Sequence, residues 1–293
     1  MKHPLLQNSF GNPPRVLQDD VYPEGIVAMD LAEEAGTLLV GTANGQLLLL
    51  DHNGEQLRRV RGYDGLRFLQ WSPMGNFAVV AQDGGRLVCL DHRLTPCWDA
   101  QITGEIVGVC ISPFGSHIAF STESSQVQVV TTDRRQVSRF QTQRPIDFLS
   151  FLWQEQSLIC AAEFGHLSCH ALNGDEHWNE RIMNNVGNMA VSGDGSRILL
   201  SAFNHGVQLL NGRGRQKGSF MVDGIPDFVA VAASKRRLIA RTIEHRLYWM
   251  TFEGEVSWGC DLASDPPREI CIGPLADHLF LSTQSGRLLH LAW

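Results

Sequence analysis

Residues 41–51 read GTANGQLLLLD: two small residues, a polar turn, four leucines and an aspartate. Four consecutive leucines fit one turn of a buried helix or a strand buried on both faces, and periodicity alone does not decide between them. Recurrence decides it. Aligned on the first hydrophobic residue after the turn, copies begin at Leu47, Leu87, Val127, Leu167, Val207, Leu247 and Leu288. They read GQLLLLD, GRLVCLD, SQVQVVT, GHLSCHA, HGVQLLN, HRLYWMT and GRLLHLA. The step is 40 residues each time and 41 for the last. A fixed period of that length is the mark of a repeat architecture.

Each copy has the same internal order. A strand-like stretch comes first: IVAMDL, LRFLQW, IVGVCI, IDFLSF, VGNMAV, PDFVAV or REICIG. A tight turn follows, as SPMG at 72–75, SPFG at 112–115 and SGDG at 192–195. A second apolar run then ends in small residues, and the opening motif leads into a third strand. Asn-Gly at 53–54, 173–174 and 211–212 marks a second turn and a fourth strand, since this dipeptide favours the positive-φ pair of a hairpin. The predicted fold class is all-β: a seven-bladed β-propeller with four antiparallel strands per blade. Strands covered on both sides by neighbouring blades need not alternate, so LLLL is expected in one of them.

On these residues the chain resembles the WD40 family. GTANGQLLLLD lies over that family's small-small-turn-Gly-strand-Asp ending without a gap, with Leu50-Asp51 in place of Trp-Asp. LRFLQWSPMG and IVGVCISPFG are similar to its inner strand and turn. The resemblance spans about residues 26 to 293 and implies a propeller used as an interaction platform. No copy ends in Trp-Asp, and the Gly-His dipeptide before each blade is absent. Trp178 and Trp258 follow Gly174 and Gly254 by four residues, as in quinoprotein-like propellers, and Trp98 stands in the same column. Burial of these three rings to anchor outer strands is the expectation.

The last copy stops at Trp293, after its third strand, while PRVLQ at 14–18 precedes the first blade and has none of its own. Pairing the two removes an open edge, so Arg15–Gln18 is expected to supply the missing strand of blade seven. Residues 1–12 hold Pro4 and lie outside the repeat. They are expected as a flexible tail, with 13–293 as a single propeller domain.

Composition narrows the function classes. The 293 residues are 43% hydrophobic and 19% charged, with a formal net charge of -7. No apolar run reaches the roughly 20 residues of a membrane span, and the N-terminus lacks the apolar region of a secretory signal. Seven cysteines without a CxxC point to a reducing compartment rather than a disulfide framework; the location expected is cytoplasmic. Motifs for catalysis are missing: no HExxH, GxSxG, P-loop or GxGxxG occurs. GRGRQKG at 212–218 leads into another strand, not into a phosphate-binding helix N-terminus. Cys160, His166, Cys169 and His170 cluster in sequence, but adjacent strand residues point to opposite faces, so no metal is expected. No cofactor is expected either.

The repeat itself serves as a ruler for candidate sites. The column of Gly45 holds His205 and His245, and the column of Gly41 holds Arg241, with Glu244 three residues on. The column of Val27 opens each inner strand and holds Arg67, Asp147, Asp227 and Arg268. Blades six and seven are neighbours, so Asp227 and Arg268 are expected to pair. These residues define a polar site on the face of the second-to-third-strand turns, with Arg67 and Asp147 across the channel. The opposite face collects Arg197, Arg213, Arg215, Lys217, Lys235, Arg236 and Arg237 in blades five and six. It suits an acidic protein, a nucleic-acid backbone or anionic lipid. Three functions follow: a non-enzymatic scaffold or adaptor bound to other protein subunits, a small-molecule or metal sensor or enzyme at the channel mouth, and a nucleic-acid-associated subunit using the basic face. The first is favoured, partly by analogy of fold.

Overall fold

Leu47–Leu50 lie in a strand, Gln46–Leu50, whose residues are all buried. Thr37–Thr42 pairs along one edge and Gln56–Arg61 along the other, both antiparallel. In the middle of a sheet and covered on both faces, this strand keeps all four leucines dry. In the computed structural model, which describes residues 3–153 and 157–293, this unit recurs seven times as a four-stranded antiparallel blade. Blades one to six span 26–61, 66–101, 106–141, 148–181, 186–220 and 226–261. Blade seven is built from Pro267–Ile272, His278–Thr283, Arg287–Ala292 and, from the other end of the chain, Arg15–Val21. The expected N-terminal strand is present and pairs with Arg287–Ala292. Arg287 and Asp19 form an ion pair at 2.6 Å across that pairing.

The chain divides into two compact units. Residues 26–181 carry blades one to four, and residues 1–25 with 182–293 carry blades five to seven. Within the first unit, side chains of adjacent blades interlock. One cluster joins Leu39, Leu47 and Leu49 of blade one to Leu69, Trp71 and Val80 of blade two. Another joins Val79, Leu87 and Cys89 of blade two to Ile106, Val109 and Phe120 of blade three. Polar ties follow the same seams. The Asp30 carboxylate accepts from the Trp71 N–H at 2.6 Å, and the Glu34 and Met74 N–H groups donate to the Pro73 and Pro113 carbonyls of the next blade. Burial pushes the Asp30 carboxyl up to about 7. Glu33 rises to about 8, through burial and then repulsion from Asp30 and Glu34.

Two bulges repeat from blade to blade. The first interrupts the pairing of first and second strands and leaves Val27, Arg67, Val107, Gly187 and Asp227 as extra residues. The second interrupts the pairing of third and fourth strands and leaves Leu57, Cys97, Val137, His177, Lys217, Ser257 and Leu17. A bulge bends its strand and re-aims the extra side chain. The column of Val27, singled out in the sequence, is therefore the inner bulge.

The N-terminal segment departs from the expected flexible tail. Pro4–Leu6 form a 3-10 turn capped by His3, and Ser9–Gly11 adds a fifth strand to blade six against Val256–Asp261. Leu6, only 3% exposed, enters the core of blades six and seven beside Trp249, Trp258 and Leu289. The outer strand of blade six has a free edge and an apolar seam next to it. Prolines exclude a helix here but not an extended strand, and burial of Leu6 offsets the ordering of a short segment.

Candidate interaction surfaces

On the face of the second-to-third-strand turns, most candidate side chains are already engaged. Arg241 forms a two-pronged ion pair with Asp227, Nε to Oδ1 at 3.0 Å and Nη2 to Oδ2 at 2.9 Å. Its Nη1 donates to the Arg268 carbonyl at 2.6 Å and to the Pro267 carbonyl at 3.3 Å. The guanidinium lies 5.3 Å from the Phe228 ring centre. The expected Asp227–Arg268 pair does not form. Asp227 is taken by Arg241, and Arg268 contributes its backbone while its side chain stays exposed.

The column explains why. Its small members abut the first strand of the next blade: a side-chain carbon on Gly41 would collide with Leu66, and the Ser121 hydroxyl donates to the Ile146 carbonyl. At this seam Arg241 replaces a close contact with a charged clasp between blades six and seven. Glu244 accepts from the Ile225 N–H at 3.0 Å and so fixes its own blade's entry loop.

In the other unit, Arg67 pairs with Glu105 at 2.9 Å and approaches Asp83 at 3.9 Å. Asp147 accepts from the Glu163 N–H at 2.7 Å, and burial raises its carboxyl above the usual range.

The histidine column resolves into two different turns. Gly45, Gly85, Ser125, Gly165, His245 and Gly286 all take the left-handed conformation. His245 does so at φ +66° although it has a side chain, a cost of about 1–2 kcal/mol relative to ordinary backbone. His205 escapes it. The left-handed residue there is Gly206, at φ +71°, and a side chain on Gly206 would meet the Phe220 carbonyl.

The opposite face of blades five and six is different. The four turns there form one contiguous surface. A side-chain carbon on Gly193 would sit 2.7 Å from the Ala233 carbonyl, and one on Gly212 2.6 Å from that of Gly195; the Phe252 N–H donates to the Arg236 carbonyl. Asn211 Oδ1 accepts from the N–H groups of both Arg213 and Arg215 at 3.0 Å, which holds that turn in shape. Arg236 pairs with Glu253 at 2.9 Å. Arg237 donates to the Ser257 hydroxyl at 2.6 Å and Arg197 to the Ser196 carbonyl at 3.0 Å. Arg213, Arg215, Lys217 and Lys235 are exposed and have no acidic partner among the described residues.

Two of the three column tryptophans, Trp98 and Trp258, anchor their outer strands. Trp258 is fully buried, and Trp98 donates to the Thr132 carbonyl of the next blade at 2.8 Å. Cys160 faces Ser168, and Cys169 faces Ile159, so the two thiols lie on opposite sides of blade four. Among the described residues no group of three His, Cys, Asp or Glu side chains is placed to hold a metal ion. His166 and His170 lie on the Cys160 side of blade four, with Ser168; both are buried, and burial lowers both below the usual histidine range. The sequence reading missed an apolar row on the first-to-second-strand turns of blades two to four. Phe114 is 62% exposed and Met74 40%, and Phe114 meets Trp153 edge-to-face at 6.4 Å. The signal was available: both residues follow Ser-Pro, at a turn position that is Asp194 in blade five.

A solved structure, the β-propeller domain of Cps50 (Swd1) from Myceliophteria thermophila, matches this architecture with a TM-score of 0.82. The match covers 96% of this chain and 100% of that one at 15% sequence identity. The fold is a seven-bladed β-propeller. At that identity the likeness concerns the propeller fold and not its use. No family model matches the sequence, and no curated protein does. Among the described residues no helix of this propeller is long and apolar enough to cross a membrane.

Proposed function

We propose that this propeller is a non-enzymatic interaction platform, a subunit of a larger assembly, and that the basic turns of blades five and six receive an acidic segment of a protein partner. One observation carries the reading. Arg213, Arg215, Lys217 and Lys235 stand exposed without acidic partners on one contiguous surface, in a chain whose net charge is -7. Charges left unpaired within a fold are available to complement a partner, where they govern encounter rate and specificity. On the other face Arg241, Asp227 and Glu244 are engaged within the fold instead. An acidic protein segment suits the patch better than a nucleic acid, because a long phosphate backbone would extend past the patch onto an acidic body.

The test is recovery of the native assembly with tagged wild-type protein and with the quadruple variant Arg213→Glu, Arg215→Glu, Lys217→Glu and Lys235→Glu. The expected result is a stoichiometric protein partner bound by the wild type, lost from the variant, with the melting temperature of the variant unchanged. Retention of the partner by the variant refutes the assigned surface. Salt-sensitive recovery of nucleic acid in place of protein moves the assignment to a nucleic-acid subunit.

A further inference from the structure

The outer bulge brings two thiols together in blade two. In each blade this bulge sets two residues of the fourth strand against one residue of the third. In blade two, Trp98 pairs with Cys89 and Pro96 with Leu90, which leaves Cys97 as the extra residue beside Cys89. Cys89 faces the same seam as Trp98, in the core shared with blade three. The Cys97 thiol pushes Cys89 up and the Cys89 thiol draws Cys97 down, so the two sulfurs lie within reach of one another. Cys89 is buried and Cys97 exposed. Elsewhere the same two positions hold Leu49 with Leu57, Val129 with Val137, Cys169 with His177, Leu209 with Lys217, and Trp249 with Ser257. Only blade two places cysteine at both. The bulge holds Cys97 beside Trp98 opposite Cys89; facing residues on antiparallel strands have Cα atoms about 4.5–5.5 Å apart, so Cys97 starts near the roughly 4.4–6.8 Å that a disulfide spans.

We propose that Cys89 and Cys97 form a reversible disulfide that fastens the outer strand of blade two when the protein meets a hydroperoxide. The exposed Cys97 sulfur attacks the terminal peroxide oxygen. The O–O bond breaks, an alcohol (or water, from hydrogen peroxide) leaves, and Cys97 becomes a sulfenic acid. The Cys89 sulfur then attacks the Cys97 sulfur. The S–O bond breaks, and the hydroxyl departs as water with the proton Cys89 gives up. Two thiols and one hydroperoxide thus yield one disulfide, one alcohol and one water. Cys97 reacts first because it is the exposed thiol of the seven cysteines; Cys89 is the resolving partner because the bulge sets it against Cys97. A thiol reductant reverses the step by exchange. Burial raises both thiols, so the oxidation is slower than at an activated catalytic cysteine.

The experiment treats reduced, full-length protein with excess hydrogen peroxide, unfolds it in the presence of an alkylating agent, and maps tryptic peptides without reduction. Cleavage after Arg93 separates the two cysteines. The expected product is the 87–93 peptide joined to the 94–134 peptide, with fragment ions placing the bond at Cys97. It should be absent after reduction and in Cys97→Ser, and retained in Cys110→Ser, which removes the other cysteine of the second peptide. Cys97 carried to sulfinic acid while Cys89 remains alkylatable overturns the proposal, and so does a mapped bond from Cys89 to any other cysteine. An unchanged alkylation pattern at both positions overturns it as well.

Discussion

Replacing Arg241 with Met keeps an apolar stem of similar length and removes the charged head. The change leaves Asp227 facing the same seam without its counter-ion, and the Pro267 and Arg268 carbonyls without their donor. The ion pair is mostly withdrawn from water, with the side chains 17% and 25% exposed. Breaking a fully buried pair from one side costs about 3–5 kcal/mol, while exposed pairs are worth about 0–1 kcal/mol. Loss of the stacking on Phe228 adds about 0.5–1 kcal/mol. Between these limits the expected destabilisation is about 2–3 kcal/mol. Urea unfolding followed by tryptophan fluorescence measures it. A double-mutant cycle with Asp227→Ala isolates the pair, with a coupling of about 1–2 kcal/mol expected. If Arg241→Met lost less than about 0.5 kcal/mol, or the cycle gave no coupling, the assignment of Arg241 to the fold would fail. Loss of partner binding at unchanged stability would return Arg241 to the list of docking residues.

His245→Gly relieves the left-handed strain but adds unfolded-state freedom, so it should raise stability by up to about 1 kcal/mol in the same urea assay. Gly206→Ala, which puts a side chain against the Phe220 carbonyl, should lower it. Leu6→Ala removes a buried side chain and should cost about 2–5 kcal/mol; a melting curve unchanged from wild type would restore the reading of residues 1–12 as a flexible tail. The buried His166 and His170 have lowered pKa values, so the unfolded chain takes up protons first as pH falls below about 6.5. Stability should fall with pH there, and His170→Asn should flatten the decline. Glu33, raised to about 8, works in the opposite sense. The folded state keeps a proton that the unfolded chain releases above about pH 4.3, so this contribution is lost as pH climbs towards 8. Glu33→Gln should therefore gain stability relative to wild type at pH 8 more than at pH 5, by thermal melts at the two pH values.

The blades were legible because one 40-residue ruler runs through the sequence, and because a strand covered on both faces tolerates LLLL. The strand that completes blade seven was legible from the mismatch between the two ends of the repeat. The fifth strand of blade six was not, since residues 9–11 carry no periodic signal. Their placement depends on Leu6 filling a groove that exists only once Trp249 and Trp258 have packed. Among the candidate residues, the column method found positions that break the pattern but not the reason for the break. His245 and His205 share a column, yet the neighbouring Gly206 lets one chain segment avoid the strained turn the other adopts. Asp227 looked ready for Arg268 because sequence gives neighbouring blades but not reach; the long Arg241 side chain crosses the seam and takes the carboxylate first. Cys89 and Cys97 were visible as residues and invisible as a pair, because only the bulge register sets one against the other.

The chain has three lysines, Lys2, Lys217 and Lys235, and two of them belong to the basic surface of blades five and six. Amine-reactive footprinting of the isolated protein and of its native assembly therefore reads that surface directly, with mass spectrometry quantifying the label at each lysine. A platform that docks an acidic partner there should show Lys217 and Lys235 strongly protected in the assembly and fully labelled in the isolated protein. Equal labelling of both lysines in the two states, with the partner bound, would contradict it.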